Sequence, residues 1–158
     1  MTLEEELGEK LRNRKLTIAV AESCTGGLLG SKITDVPGSS EYFLGGVIAY
    51  QNEVKESLLH VPQQVIAAHG AVSAQTVEAM AGGCRELFEC DIAISITGIA
   101  GPGGGSADKP VGLVYVGLAT ASGVISRRFQ WDGSRTQNKE SSVRAAMEMI
   151  LATLKMEG

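Results

Sequence analysis

A serine and a cysteine stand side by side in the stretch AESCTGG, residues 21–27, directly after an apolar run. Ser23 admits two interpretations: its hydroxyl caps the helix that follows, or it is a nucleophile beside the amide N–H groups of that helix. Cys24 is a rival nucleophile, because a helix N-terminus lowers the pKa of a thiol. Neighbouring helical residues point about 100° apart, so only one of the two faces a site. The frequent burial of cysteine favours packing for Cys24.

A nucleophilic serine needs a base, and the chain offers two kinds. Histidine is the usual base, but His60 and His69 stand at predicted helix ends and not at strand ends. Lys55 follows a predicted strand in the stretch YQNEVK, together with Tyr50. A lysine acts as a base only when it is neutral, which requires its pKa to fall from about 10.4 to about 7 through burial. The alternative for Lys55 is a solvated position on a helix face.

The glycine-rich stretch GPGGGS, residues 101–106, is a candidate phosphate site. It lacks the GK[ST] ending of a P-loop, and it does not open a helix with GxGxxG. The backbone amides of glycines and a serine hydroxyl can nevertheless bind a phosphate dianion, and an arginine would add a positive charge to such a site. This interpretation selects Gly101, Gly103, Gly104, Gly105 and Ser106. The alternative is a surface loop that only covers the site.

The elements that position these residues follow from periodicity and turn residues. The pattern predicts strands at 16–21, 43–50 and 91–97, a hairpin of strands at 111–120 and 124–131, and helices at 2–13, 24–33, 52–59, 63–68, from Ser73 onward, and 138–155. This alternation predicts an α/β sandwich with a mostly parallel sheet. The segments at Ser23, after Tyr50 and after Thr97 leave carboxyl ends of strands, where such sheets bind ligands.

Composition narrows the class of protein. The 158 residues suggest one domain, with 44% hydrophobic residues and a net charge of −4. No basic stripe is present, which argues against nucleic acid as the main partner. The acidic N-terminus and the lack of a long apolar run argue against a signal peptide and a membrane partner. Three cysteines without a CxxC pair favour a reducing cytosol, and two histidines make a metal site improbable.

Four separated stretches are similar to the C-terminal domain family of the competence/damage-inducible protein CinA. They read AESCTGG, TDVPGSSEYFLGGVIAYQNEVKESLLHV, GAVSAQTVEAMAGG and TGIAGPGGGSADKPVG. The resemblance implies one domain over residues 1–158, built as a three-layer α/β/α sandwich with a five-stranded mixed, mostly parallel sheet. Larger relatives carry an N-terminal nucleotide-processing domain, and we expect that second activity to be absent here.

The resemblance implies hydrolysis of the carboxamide of nicotinamide mononucleotide (NMN), as in the stand-alone nicotinamide-nucleotide amidases of this family. It implies Ser23 as the nucleophile, Lys55 and Tyr50 as the proton-handling group, and Thr97 as a polar group at the site. The amides of Thr25 and Gly26 would then stabilise the oxyanion.

One arginine is expected to complete the site, and two candidates are open. Arg135 is the first choice, because its setting in FQWDGSR best matches a family segment, and Arg144 is the second.

The resemblance also sets expectations about partners. We expect a cytoplasmic homo-oligomer, such as a dimer, that uses no cofactor and no metal. The alternative function is a non-catalytic nucleotide-binding module acting in competence or the DNA-damage response. Ammonia release from NMN discriminates between the two.

Overall fold

The computed structural model describes residues 1–157, which form six α-helices, one 3-10 turn and five strands. The α-helices are α1 (Leu3–Arg14), α2 (Leu28–Thr34), α3 (Asn52–Leu59), α4 (Gln63–His69), α5 (Ala74–Phe88) and α6 (Arg135–Met156). The strands are β1 (Ile18–Glu22), β2 (Phe43–Ile48), β3 (Ile92–Gly98), β4 (Leu113–Thr120) and β5 (Gly123–Gln130), and the 3-10 turn is Ser39–Glu41. No helix in this range is long and apolar enough to cross a membrane.

The five strands form one mixed sheet in the order β2-β1-β3-β4-β5. Strand β1 pairs in parallel with β2 and β3, and β4 runs antiparallel to both β3 and β5. Four of the five strands therefore point the same way, and only β4 is reversed. The predicted mixed, mostly parallel five-stranded sheet is confirmed.

The two faces of the sheet differ in side-chain size, because alternate residues of a strand point to opposite faces. Ile18 and Val20 of β1 join large aliphatic residues of β3 and β4 under α1, α2 and α6. Ala19 and Ala21 point to the other face, under α3 and α5. These small residues let α5 approach the sheet closely, and the hydroxyl of Ser95 donates to the carbonyl of Val77 on that helix. Helices on both faces complete the predicted three layers.

Two helices begin away from their predicted positions. Helix α2 begins at Leu28 and not at residue 24, because Gly26 and Gly27 adopt positive φ angles of 62° and 107° and form a turn first. Helix α6 begins at Arg135 and not near residue 138, because Ser134 and Gln137 form a capping box. Residues 24–27 therefore form a turn and not the first turn of α2, and Arg135 is the first residue of α6.

Candidate functional site

A cavity of about 260 Å³ lies at the carboxyl ends of β1 and β3, beside the segment that leaves β2. We call it the strand-end cavity. It is lined by Ser23, Cys24, Tyr50, Lys55, Ala71, Val72, Thr97, Gly98, Ile99, Ala100, Gly101, Gly103, Gly104 and Arg135. The segments at Ser23, after Tyr50 and after Thr97 therefore meet at one cavity, as the sequence predicts.

A larger open groove of about 940 Å³ lies elsewhere, between the start of α1 and the start of α6. It contains Arg144 but neither Ser23, Lys55 nor Thr97. Its greater volume does not make it the better candidate, because a reactive site needs a nucleophile and a base within reach of each other. The structure thus brings Arg135 to the predicted site and leaves Arg144 outside it.

Ser23 and Lys55 are in direct contact. The Nζ atom of Lys55 donates to Ser23 Oγ at 3.1 Å, and the two residues are 32 positions apart in the sequence. Ser23 directly follows β1, and its amide donates to the Ile96 carbonyl of β3, which fixes its backbone against the sheet. Lys55 lies in the first turns of α3, which follows β2. Two strand ends and one helix therefore set the distance between the hydroxyl and the amine.

The amine of Lys55 is buried among main-chain carbonyls. The residue is only 1% exposed, and Nζ also donates to the carbonyls of Ala49 at 2.7 Å and Tyr50 at 3.1 Å. Burial lowers the pKa of Lys55 below its ordinary value of 10.5, while a negative charge on Cys24 would raise it. The solvated helix-face position considered for Lys55 is therefore wrong.

Cys24 also lines the strand-end cavity, but its environment disfavours the thiolate. The residue is 7% exposed, and burial raises the pKa of its thiol to about 11. The nearby charge of Glu22 acts in the same direction, whereas Lys55 and Arg135 lower this pKa and do not compensate for burial. At neutral pH the thiol is protonated and a poor nucleophile.

A buried carboxylate controls the turn between β1 and α2. Glu22 accepts hydrogen bonds from the Thr25 hydroxyl at 2.6 Å and from the amides of Leu29 and Gly30, each at 2.9 Å. It therefore takes the place of a helix cap, since the N-cap residue Gly27 has no side chain. The interpretation of Ser23 as the cap of the next helix is wrong, and its hydroxyl instead faces Lys55.

The amides expected to bind an oxyanion have different surroundings. The Gly26 amide donates to the Ser23 carbonyl at 3.1 Å, so it is already occupied. The Thr25 amide has no acceptor within residues 1–157, although the Thr25 side chain is buried against Glu22. Of the two predicted donors, only the Thr25 amide is unoccupied, but Thr25 is 1% exposed, and neither Thr25 nor Gly26 lines the strand-end cavity.

Tyr50 and Arg135 form the outer rim of the strand-end cavity. The Arg135 guanidinium donates to the Gly101 carbonyl at 2.7 Å and to the Tyr50 hydroxyl at 3.2 Å. The expected proton-handling group of Lys55 and Tyr50 is joined through the main chain within residues 1–157: Lys55 contacts the Tyr50 carbonyl, whereas the hydroxyl of the 57% exposed Tyr50 contacts Arg135. Tyr50 thus connects Lys55 to Arg135 through its carbonyl and its hydroxyl.

Thr97 and part of the glycine-rich loop form the remaining walls. Thr97 is 1% exposed, and its hydroxyl donates to the Ala71 carbonyl at 2.8 Å, which holds the segment between α4 and α5 against the cavity. Gly101, Gly103 and Gly104 line the cavity.

Two residues of that loop do not line the cavity. Gly105 packs against Val111, and the Ser106 hydroxyl accepts a hydrogen bond from the Lys109 amide at 3.1 Å. Both residues shape a turn of the loop, so the structure does not place them where they could contact a ligand in this cavity.

The histidines lie away from the site. His60 ends α3 in a left-handed conformation, His69 ends α4, and neither lines the strand-end cavity. Among residues 1–157, no three His, Cys, Asp or Glu side chains form a cluster that could hold a metal ion.

Sequence reasoning assigned no role to Glu22 or to the wall formed by Ala71 and Val72. An acidic residue at the end of an apolar strand is a usable signal for Glu22, because buried carboxylates need hydrogen-bond donors. No comparable signal distinguishes Ala71 and Val72, which are ordinary apolar residues between two helices.

Comparison with known proteins shows the family to which the chain belongs. The model of the CinA C-terminal domain matches residues 1–154. A CinA-like protein from Chlorobaculum tepidum is 52% identical over 160 residues, covering 98% of this chain, and one from Desulfotalea psychrophila is 48% identical over 149 residues, covering 94%. The chain spans only 38% and 36% of the lengths of these two relatives.

Solved structures agree with the sequence comparisons. The competence/damage inducible protein CihA from Agrobacterium tumefaciens is 38% identical, with a TM-score of 0.90 over 98% of this chain and 97% of that one. The competence damage-inducible protein A (ComA) from Klebsiella pneumoniae is 30% identical, with a TM-score of 0.94 over 97% and 95%. The chain therefore belongs to the CinA C-terminal domain family.

Proposed function

We propose that this chain hydrolyses the carboxamide of NMN to nicotinate mononucleotide and ammonia. The observation that carries the proposal is the 3.1 Å contact between Lys55 Nζ and Ser23 Oγ in a buried cavity. A nucleophile and base in such contact suit acyl transfer. The choice of NMN rests on the resemblance to nicotinamide-nucleotide amidases and is supported by a rim that offers Arg135 to a phosphate.

The neutral form of Lys55 matches its three contacts. A neutral amine has two N–H bonds and one lone pair, and the carbonyls of Ala49 and Tyr50 accept the two N–H bonds. The lone pair is then left for the third contact, Ser23 Oγ. In this state the Ser23 hydroxyl donates to Lys55, which is the arrangement that a general base requires.

The first half of the reaction forms an ester on Ser23. Ser23 Oγ attacks the carboxamide carbon while its proton passes to Lys55 Nζ. In this scheme the oxyanion of the tetrahedral intermediate accepts a hydrogen bond from the unoccupied amide of Thr25, which adjoins the cavity-lining Cys24, and the occupied Gly26 amide takes no part. The C–N bond then breaks, and the proton held by Lys55 passes to the departing nitrogen to give ammonia.

The second half restores the enzyme. Water attacks the ester carbon and gives its proton to Lys55, which returns it to Ser23 Oγ as the ester bond breaks. Nicotinate mononucleotide leaves, and each half uses Lys55 first as a base and then as an acid. These proton transfers involve only groups of the chain, the substrate and water, so this scheme uses no cofactor.

The remaining site residues position the substrate. Arg135, held by Gly101 and Tyr50, faces the phosphate end, together with the backbone of Gly103 and Gly104. Thr97 holds the wall at Ala71. Gly105 and Ser106 shape the loop without contacting the substrate, which revises the binding role expected for them.

Product analysis tests the proposed function. The purified chain is incubated with NMN, and we expect nicotinate mononucleotide and ammonia to form in equal amounts over many turnovers. Binding of NMN without ammonia release would contradict the proposal and favour the non-catalytic nucleotide-binding module.

A further inference from the structure

The wall of the strand-end cavity holds basic side chains and no acidic one, although the whole chain has a net charge of −4. Its fourteen lining residues include Lys55 and Arg135 and no aspartate or glutamate. The buried amine of Lys55 is committed to Ser23 and two carbonyls. Arg135, at the rim, is not bound to the reacting groups, so its positive charge favours an anionic group on the ligand.

Arg135 is held in place and still has N–H groups that donate no hydrogen bond to any residue that the structure describes. A guanidinium has five N–H donors, and Arg135 uses two of them on Gly101 and Tyr50. No carboxylate within residues 1–157 lies within ion-pair distance of it. The guanidinium is therefore oriented by neutral partners, and its charge is not neutralised.

Lys139 provides a second cation one turn further along α6. Residues four apart on a helix lie on the same side, so Lys139 neighbours Arg135. Its Nζ atom lies 4.0 Å from the position that a Cβ would take on Gly26, in the turn that follows Ser23. In the described part of the chain, Lys139 makes neither an ion pair nor a side-chain hydrogen bond. Lys139 does not itself line the strand-end cavity, so the two unneutralised cations stand at its edge, Arg135 on the rim and Lys139 next to the turn at Gly26.

We propose that Lys139 and Arg135 together bind the phosphate monoester of the substrate, and that Lys139 is a specificity-determining residue. Two cations match the charge of a phosphate dianion, with Arg135 as a planar fork and Lys139 as a point charge. The identity of the rest of the ligand rests on the proposed function. The charge pair itself rests on the position of the two side chains.

The experiment compares NMN with nicotinamide riboside, which lacks the phosphate. Lys139→Met should lower kcat/KM for NMN by about tenfold or more and leave the value for the riboside unchanged, because a charged hydrogen bond to the phosphate is lost. Lys139→Arg should retain most of the preference for NMN. Lys155→Met is the matched control, since Lys155 is exposed at the other end of α6, and it should change neither value.

Two results would overturn the assignment of Lys139. One is an unchanged ratio of the two kcat/KM values in Lys139→Met, and the other is an equal fall for both substrates, which indicates a purely structural role. A wild-type ratio near one would reject phosphate recognition altogether.

Calorimetric binding separates this proposal from the proposed function. If no variant turns over NMN, the proposed function fails, but the affinities of NMN and the riboside can still be measured for the wild type and Lys139→Met. Tighter binding of NMN that Lys139→Met removes supports the phosphate site. Equal affinities of the two compounds for the wild type overturn it.

Discussion

At the scale of single residues, the protonation state of Lys55 decides whether the proposed chemistry can run. Burial raises the free energy of the ammonium form and so lowers the pKa of Lys55. Only the neutral amine can accept the Ser23 proton, so a lowered pKa increases the reactive fraction at neutral pH. Solvent exposure of the same amine would leave it almost fully protonated.

The pH dependence and the Lys55→Arg variant test this role. The rate should rise with pH as the amine loses its proton, with an apparent pKa below 10.5, and should fall in acid. Lys55→Arg should lower kcat by about 10²- to 10⁴-fold, because a guanidinium stays protonated. Initial rates measured across about pH 6 to 9 check both statements. A Lys55→Arg enzyme with wild-type activity would contradict the assignment.

Cys24 is expected to be a packing residue. Its thiol, with a pKa raised to about 11, is protonated near neutral pH, so Cys24→Ser should keep most of the wild-type kcat. Steady-state ammonia release measures the effect, with the buried Cys84→Ser variant as a control for substitution of a buried thiol. Loss of activity in Cys24→Ser, with a stable fold and an active Cys84→Ser control, would favour the thiol as nucleophile.

At the scale of elements, the buried carboxylate of Glu22 replaces a side-chain cap for α2. Glu22→Gln puts an NH₂ group where one oxygen accepted an amide, so one donor loses its partner. We expect a loss of roughly 1–3 kcal/mol in the free energy of unfolding. Urea denaturation measures it, and Glu9→Gln on the exposed face of α1 should be near neutral. Equal stability of Glu22→Gln and the wild type would refute the capping role.

The position of Lys55 depends on close packing between α3 and α5. A Cβ on Gly83 would lie 1.8 Å from the Leu59 carbonyl of α3, so Gly83→Ala should push the helices apart. We expect it to cost about 1–3 kcal/mol of stability and to lower activity, because α3 carries Lys55.

The neighbouring glycine supplies a matched control. A Cβ on Gly82 meets nothing within 4 Å, and Gly82→Ala should stabilise α5 by up to about 1 kcal/mol. Thermal unfolding and ammonia release on both variants check the pair. A Gly83→Ala variant as stable and active as Gly82→Ala would show that the α3–α5 spacing is not critical.

At the scale of the whole molecule, strand-end geometry explains why much of the site was predictable. Ser23, Lys55 and Thr97 follow or end three strands of one sheet, and parallel strands bring their carboxyl ends to one edge. The burial of Lys55 was only one of two alternatives from the sequence, since a lysine in a short polar helix usually faces solvent. The expected homo-oligomer stays a prediction, because the structure contains one chain.

Local conformations account for the boundaries that were missed. The start of α2 depends on positive φ angles at Gly26 and Gly27 and on Glu22, whose carboxylate reaches seven and eight residues ahead. Local propensity does not reveal such a contact. The start of α6, in contrast, has a signal in the sequence, because Ser134 and Gln137 have capping-box spacing.

The most direct test of the central claim is the initial rate of ammonia release from NMN by Ser23→Ala and by the wild type at equal protein concentration. A nucleophile supplies most of the rate in such enzymes, so we expect the variant to be slower by about 10⁴-fold or more. Its circular dichroism spectrum and melting temperature should match the wild type, because the backbone contact of Ser23 is kept. A folded Ser23→Ala protein that releases ammonia at the wild-type rate would contradict the account.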